Sequence, residues 1–449
     1  MKVQRDGRDL KVVVTSDGTG LVSHAGSALL GQVADKVGLT RALALGLAGV
    51  KQRRRGHDPG RVIRDLAVML ADGGDAVCDL GAVRDQSVLF GPVASDSTAF
   101  RVIDRIANDP VLLGGLRAAH ARARARVWKL TGPPEELTID IDATLITAHS
   151  EKERASGNYK GGFGFHPLLA YGDENREALA GILRPGRAGS NTAADQIKVA
   201  ERALEQIPAA HAAGIKLLLR ADSAGAVHGL IDWCREGEIR YSVGYELTDQ
   251  VRQAILQTPE NTWIPAITTE GATRGNGEVS ELTGDVDLAA WPTGSRLIVR
   301  RERAHPGAQL SFTDVDGHRF QVVLTDQTDP DIQLLECRHR QRARIEDDIR
   351  NDKDTGLRKL PFHDYALNEV WLELVLIAHN LIIWTQTLLL TGDLARAEPK
   401  RLRYRLLHVA ARLALHARQA RLRLQATWPW AAALAAAFAK LEAIADPPA

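Results

Sequence analysis

The sequence predicts an α/β fold: a mixed sheet interleaved with helices, preceded by a helical N-terminal region, interrupted by a mostly β insertion and closed by a basic helical C-terminal arm. Three observations predict it. The texture changes at Pro133-Pro134, where helix-spaced apolar residues give way to the alternating stretch LTIDIDATLI. Beyond that point strand-like and helix-like segments follow one another in a mixed order. From 247 to about 330 the chain turns to short Thr-, Gly- and Trp-rich runs, and helical spacing returns near Arg338.

Size and composition set outer limits. With 449 residues the chain has room for roughly two to four domains. A hydrophobic share of 45% and a charged share of 25% are those of an ordinary globular protein. A formal net charge of +1 excludes a uniformly basic, histone-like protein, although an average hides local patches. Cys78, Cys234 and Cys337 lie far apart with no Cys/His spacing, so neither a disulfide framework nor a zinc module is indicated, and a cytoplasmic location fits. The start, MKVQRDGRDLKVVV, lacks the apolar core of a signal peptide. The apolar stretch Val370 to Leu390 is broken by Glu373, His379, Asn380 and Gln386, which makes it a buried core helix and argues against a membrane partner.

The elements follow in order. Residues 1–132 form the helical N-terminal region, opening with a short strand to about residue 20 and a turn at Asp17-Gly18. From Ser27 to Leu47 the apolar residues recur at helical spacing around a Gly38 turn. That is the outline of a helix-turn-helix, equally the outline of a plain helical hairpin. The run Lys51-Gln52-Arg53-Arg54-Arg55 is a candidate phosphate contact beside it. Helices are predicted at Arg61–Leu70, at Ala99–Ile106 behind the N-cap cluster Ser95-Asp96-Ser97-Thr98, and at Arg117–Arg126.

The first part of the sheet, 133–246, carries the LTIDIDATLI strand, strands at Phe163–Tyr171 and Ala178–Leu183 around a Gly172-Asp173-Glu174-Asn175 turn, and a helix at Ala193–Leu204. A buried strand at Ile215–Leu219, a helix near Val227–Cys234 and a strand at Tyr241–Val243 complete it. The insertion spans 247–330, and the second helical part spans 331–395. The arm, 396–449, holds nine Lys/Arg against the single acid Glu398 between Arg396 and Arg423. It is read as helical and as a surface for DNA or a second subunit.

Carboxylates at three places in the chain stand out by position. Asp140 and Asp142 are two apart on a strand, so both point to one face while Ile139 and Ile141 point to the other. Acids on an otherwise apolar strand are costly without a compensating charge. Asp222 follows the apolar strand KLLLRA, at the edge where α/β sheets place ligands. Glu346 lies on a helix beyond the insertion. Each alone has an ordinary explanation as a cap or a surface pair. Together they suit hard divalent cations, which act on phosphodiesters. In CRHRQRARIEDDIRNDKDTG, Arg342 and Glu346 share a helix face, with His339 and Lys353 flanking them for phosphate contacts.

The spacing of His339, Arg342, Glu346 and Lys353 resembles the Tyr-Arg-Glu-Lys signature of bacterial insertion-sequence transposases with an Asp-Asp-Glu site. Asp142-Ala143-Thr144 and Arg220-Ala221-Asp222-Ser223 look like that family's two Asp motifs. Tyr159-Lys160-Gly161, His166-Pro167-Leu168-Leu169, Leu183-Arg184-Pro185-Gly186 with Asn191, and Gly73-Gly74-Asp75 with Asp79-Leu80 are similar to its IS thirteen-eighty branch. One departure is His339 at the signature's Tyr position. Thr144, two residues past Asp142, favours Asp142 over Asp140 as the first acid, with Asp140 as its supporting partner.

The resemblance implies an RNase H-like core with its β insertion between Asp222 and Glu346. It implies two Mg²⁺ ions, with Mn²⁺ able to substitute, held by Asp142, Asp222 and Glu346. DNA contacts are expected from His339, Arg342, Lys353, Lys160, Arg184, Arg53, Arg54 and Arg55, and base stacking from Trp263 or Trp291. The expected partners are terminal inverted repeats, target DNA and a second copy of the chain on DNA; the expected activity is cut-and-paste strand transfer through hairpin ends in a nucleoid-associated protein. A metal-dependent nuclease that joins no strands, and a non-catalytic DNA-binding regulator, are the alternatives.

Overall fold

A computed structural model describes residues 12–447 apart from 52–55, 150, 190, 304–316 and 417–418. Nine strands form one mixed sheet: β1 (Glu136–Ala143), β2 (Leu168–Gly172), β3 (Ala178–Ile182), β4 (Lys216–Ala221), β5 (Arg240–Tyr245), β6 (Ile264–Ile267), β7 (Thr273–Glu281), β8 (Arg296–Arg303) and β9 (His318–Thr325). Their spatial order is β6-β7-β8-β9-β5-β4-β1-β2-β3. β1, β4 and β5 run parallel and every other neighbouring pair is antiparallel. The insertion's four strands therefore extend the central sheet through β9, which pairs with β5 from Val322–Tyr245 to Thr325–Ser242.

The helical N-terminal region comprises α1 (Ala28–Lys36), α2 (Leu39–Gly46), α3 (Pro59–Asp72), α4 (Asp96–Ala107) and α5 (Pro110–Thr131). Gly38 turns the chain between α1 and α2 at φ 77°, a conformation open to a residue without Cβ. Asp58 and Asp109 cap α3 and α5, each followed by a proline whose missing N–H costs nothing at a first helical position. Residues 12–20 carry no regular structure, and only Leu21–Val22 pair as a strand, with Arg412 and Ala411. The early strand expected before residue 20 is therefore absent from residues 12–20, and the pairing starts only after the Asp17-Gly18 turn; residues 1–11 of that expectation lie outside the described residues.

Against the sheet lie α6 (Ala193–Glu205), α7 (His228–Glu236), α9 (Ile332–Arg340) and α10 (Arg344–Asp352), with α8 (Asp249–Gln257) opening the insertion and α11 (Tyr365–Leu389) following. α11 packs against α1, α3, α4 and β3, and 89% of its most apolar window is buried in the protein. Its buried polar residues are paired internally. Asn380 bonds both the N–H and the carbonyl of Ala178 at 2.8 Å, Glu373 takes Arg117 at 2.6 Å, and Gln386 donates to the carbonyls of Leu394 and Ala397. Burying such groups is tolerable because each is paired.

The arm departs from its helical expectation. Residues Ala411–His416 and Gln419–Leu424 form an antiparallel hairpin, and only α12 (Ala431–Ala443) is a full helix. Ala, Leu and Arg are helix formers, which hid the alternation Arg421-Leu422-Arg423-Leu424 that reads as a half-exposed strand.

Candidate active site

β1 and β4 are parallel and in register, Ile139 beside Leu219 and Ile141 beside Ala221. Their carboxyl ends finish side by side, where a sheet of this kind presents side chains to a ligand. Asp142 stands one residue beyond Ile141. Asp222 follows β4 directly and accepts the Ala224 N–H at 3.0 Å, so its carboxylate is held at the start of a short turn. Glu346 lies in the first turn of α10 with its side chain 66% exposed.

Arg342, in the turn between α9 and α10, stands between two of the acids. Its Nη1 is 3.5 Å from Asp142 Oδ2 and its Nη2 is 3.7 Å from Glu346 Oε1. Burial pushes the Asp142 carboxyl up to about 6; Arg342 pulls it back, and Asp222 and Glu346 push it further. Three carboxylates thus share one field at the strand ends. Their oxygens do not all approach within 4.8 Å of one another, with Arg342 held between Asp142 and Glu346. Hard oxygen donors with this surplus of negative charge fit a divalent cation.

Asp140 takes a different place. It is 2% exposed and paired in a fork with Arg220, Nε to Oδ1 at 2.6 Å and Nη2 to Oδ2 at 2.7 Å. Arg220 also holds Asp173 at 3.0 Å and donates to the Arg338 carbonyl. Burial still pushes the Asp140 carboxyl up to about 6. The pair ties β1 and β4 to the end of α9.

A cleft of about 680 Å³ opens beside the acids, with Asp222, Tyr245, Phe320, His339, Arg342 and Glu346 among its walls. The His339 Nδ1 lies 3.0 Å from Ser242 Oγ. Burial and the charges of Arg220, Arg342 and Arg300 drive its pKa down to about 3, so the ring is neutral at pH 7. Lys353 follows α10, half-buried; burial, Arg358 and Lys160 lower its pKa, and Asp142 acts in the opposite sense. Lys353 therefore lies within electrostatic range of both the exposed Lys160 and Asp142.

Other predicted residues lie elsewhere. Arg184 is buried; its Nε and Nη1 donate to the carbonyls of His166 and Gly189 and to Asp195 at 3.1 Å, and its Nη2 is buried without a partner, so the guanidinium is enclosed in the protein. Trp263 is 7% exposed, with the Arg301 guanidinium 4.2 Å over its ring. Trp291 is half-buried, stacked on His228 at 4.2 Å, and donates to the hydroxyl of the cleft residue Tyr245 at 3.3 Å. Arg53, Arg54 and Arg55 lie outside the described residues.

Sequence reasoning missed a buried polar chain behind Glu346. His379 Nδ1 is 2.6 Å from Asp352 Oδ1, and the Tyr171 hydroxyl donates to Asp352 Oδ2 at 2.6 Å. Asp348, one turn before Asp352, is pushed up to about 7, chiefly by burial. The acids recur at i and i+4 on α10, a visible signal; their partner on α11 could not be read from spacing.

The family model described as "Transposase DDE domain group 1" matches residues 4–446 of this chain. No curated protein matches its sequence. Among solved structures, the chain is similar to one titled a cryo-EM structure of a piggyBac transposase synaptic complex with hairpin DNA. The identity is 9% and the TM-score 0.44, over 85% of this chain and 80% of that one.

Proposed function

The chain belongs to the transposase DDE domain group 1 family and is a DNA transposase; within that activity we propose that Asp142, Asp222 and Glu346 are the catalytic acids. The observation that carries the reading is their convergence on one field at the ends of β1, β4 and the start of α10, with Arg342 spanning Asp142 and Glu346. The three carboxylates would hold divalent cations, two Mg²⁺ with Mn²⁺ as a substitute. When bound, these ions lower the pKa of an attacking water or 3′-hydroxyl and offset charge on the leaving oxygen.

The protein's own groups position the DNA. Arg342, partly exposed between the acids, is free to exchange carboxylate for phosphate, a bidentate partner of equal fit. Lys353 and Lys160 supply positive charge on the Asp142 side of the site. His339, neutral at pH 7, offers a hydrogen-bonding ring nitrogen in place of a hydroxyl. Trp291, resting behind Tyr245 at the cleft, is the better placed of the two candidates for stacking on a displaced base.

The finer reading follows the sequence resemblance: an IS thirteen-eighty element, an RNase H-like core, recognition of terminal inverted repeats, hairpin ends, and a homodimer on DNA. Asp142→Asn or Glu346→Gln should abolish cleavage of element-end DNA in Mg²⁺ while leaving binding to that DNA intact in a mobility-shift assay. Normal nicking by the Glu346→Gln protein would refute the assignment. Two further readings give different products. A nuclease would cut ends without joining pre-cut ends to a plasmid, and a regulator would bind without cutting.

A further inference from the structure

A second group of ligand-type side chains lies away from the acids. His24 precedes α1, Asp72 closes α3, and His408 follows the basic arm's first turn. The His24 Nδ1 is 2.5 Å from Asp72 Oδ2, and the His408 Nε2 is 3.1 Å from Asp72 Oδ1. The two imidazoles stack at 4.1 Å with 28° between their planes. One ligand atom from each residue lies within 4.8 Å of the other two. Asp72 is buried, His24 half-buried and His408 exposed, so the group opens to water on its histidine side.

We propose that His24, Asp72 and His408 form a binding site for a divalent transition-metal cation of the Zn²⁺ type, distinct from the carboxylate trio. Two imidazole nitrogens and one carboxylate oxygen, with an open fourth position, are a recognised donor set for Zn²⁺. Ligand atoms sharing one tetrahedral ion sit roughly 3.3 Å apart, given bonds of about 2.0–2.1 Å. The His24–Asp72 and His408–Asp72 separations lie within about an ångström of that, and all three donors lie within 4.8 Å of one another, so closing on an ion needs only modest ring movements. The trio of acids offers oxygen alone and favours harder ions.

The surroundings fit a built site. The Ser27 hydroxyl donates to Asp72 Oδ1, fixing the carboxylate from behind, as outer partners of metal ligands do. His24 sits at φ 51°, uncommon for a residue other than glycine, in the conformation that aims its ring at Asp72. An ion here would tie the arm to the N-terminal helices. Arg403, five residues before His408, already reaches the carbonyls of Ala71 and Asp354, so the tie would also steady the segment carrying Lys353.

The test uses the full chain, stripped with chelator and desalted after adding Zn²⁺, in both the parent and an Asp142→Asn/Glu346→Gln protein. The double change removes the trio as a source of bound metal, so the outcome does not depend on the catalytic assignment. Both proteins should retain about one Zn²⁺ per chain and melt at a higher temperature with it. His408→Gln and His24→Gln, each keeping a hydrogen-bonding side chain beside Asp72, should melt like the metal-free parent and lose both effects. Co²⁺ should give a tetrahedral d–d absorption in the parent that His408→Gln abolishes. Absence of uptake by the parent, or equal uptake by a His408→Gln protein of unchanged melting temperature, would overturn the site.

Discussion

A charged side chain in this protein is either spent on the fold or kept for a partner, and its geometry says which. Arg220 is spent: it is buried, forked to Asp140 and bonded to Asp173. Arg220→Met should therefore leave the buried Asp140 carboxylate unpaired, while Asp173 keeps Arg344, and destabilise the protein by about 3–5 kcal/mol, read as a lower urea midpoint. Lys353 and Arg184 divide the same way. Lys353 faces Asp142 and Lys160, and Arg184 is consumed by two carbonyls and Asp195. Lys353→Ala should reduce the slope of log affinity against log salt by about one unit, the signature of one lost phosphate contact. Arg184→Ala should leave that slope unchanged and lower stability instead. If the two variants behaved alike in DNA binding, this division would be wrong.

Elements show where spacing is informative and where it stops. The alternation in LTIDIDATLI gives β1, and the capped and periodic stretches give α3, α4 and α11 close to their observed bounds. The carboxylates at Asp142 and Asp222 were legible because strand ends and strand faces follow from period two alone. The arm's hairpin was not, since Ala, Leu and Arg outweighed a short alternation. Asp352 and His379 were not legible as a pair either, because α10 and α11 meet only in the folded chain. That pair supports a pH prediction. Asp352 overrides the burial of His379 and raises its pKa to about 9, against about 6.5 for an unfolded histidine. A raised pKa in the folded state means stability fully present below about pH 6.5 and lost as pH climbs through 9. Between pH 7 and pH 9.5 the protein should lose about 2 kcal/mol from this helix contact. In His379→Gln that increment should vanish, as measured by urea unfolding at both pH values; an equal loss in parent and variant would mean the pair is not the source.

At the scale of the whole molecule, the insertion and the helix bearing the third acid are mechanically one piece with the sheet. β9 pairs with β5 along four residue pairs, the Thr325 hydroxyl donates to the Tyr241 carbonyl at 2.6 Å, and Arg240 meets Asp326 at 3.3 Å. α9 lies against β6, β7 and β8, where Glu336 takes Arg300 of β8 at 3.0 Å and Arg340 of its own helix at 3.0 Å. Arg340 also donates to the Ile267 carbonyl of β6, and Gln333 to that of Pro265. Arg300 borders the cleft, and the turn after Arg340 carries Arg342 and leads into Glu346. The insertion therefore sets the height of Glu346 over Asp142 and Asp222, although it contributes none of the three. Arg300→Ala should leave the buried Glu336 with Arg340 as its one ion-pair partner, weaken that seat and reduce strand cleavage at least tenfold, because small misplacements of the proposed catalytic acid are expensive. Arg300→Lys, keeping the charge but not the second guanidinium nitrogen that reaches Gln321, should recover part of the rate. Binding to element-end DNA should change far less than cleavage in both variants. Cleavage at the parent rate by a folded Arg300→Ala protein would show instead that Glu346 is held by α10 and the sheet alone.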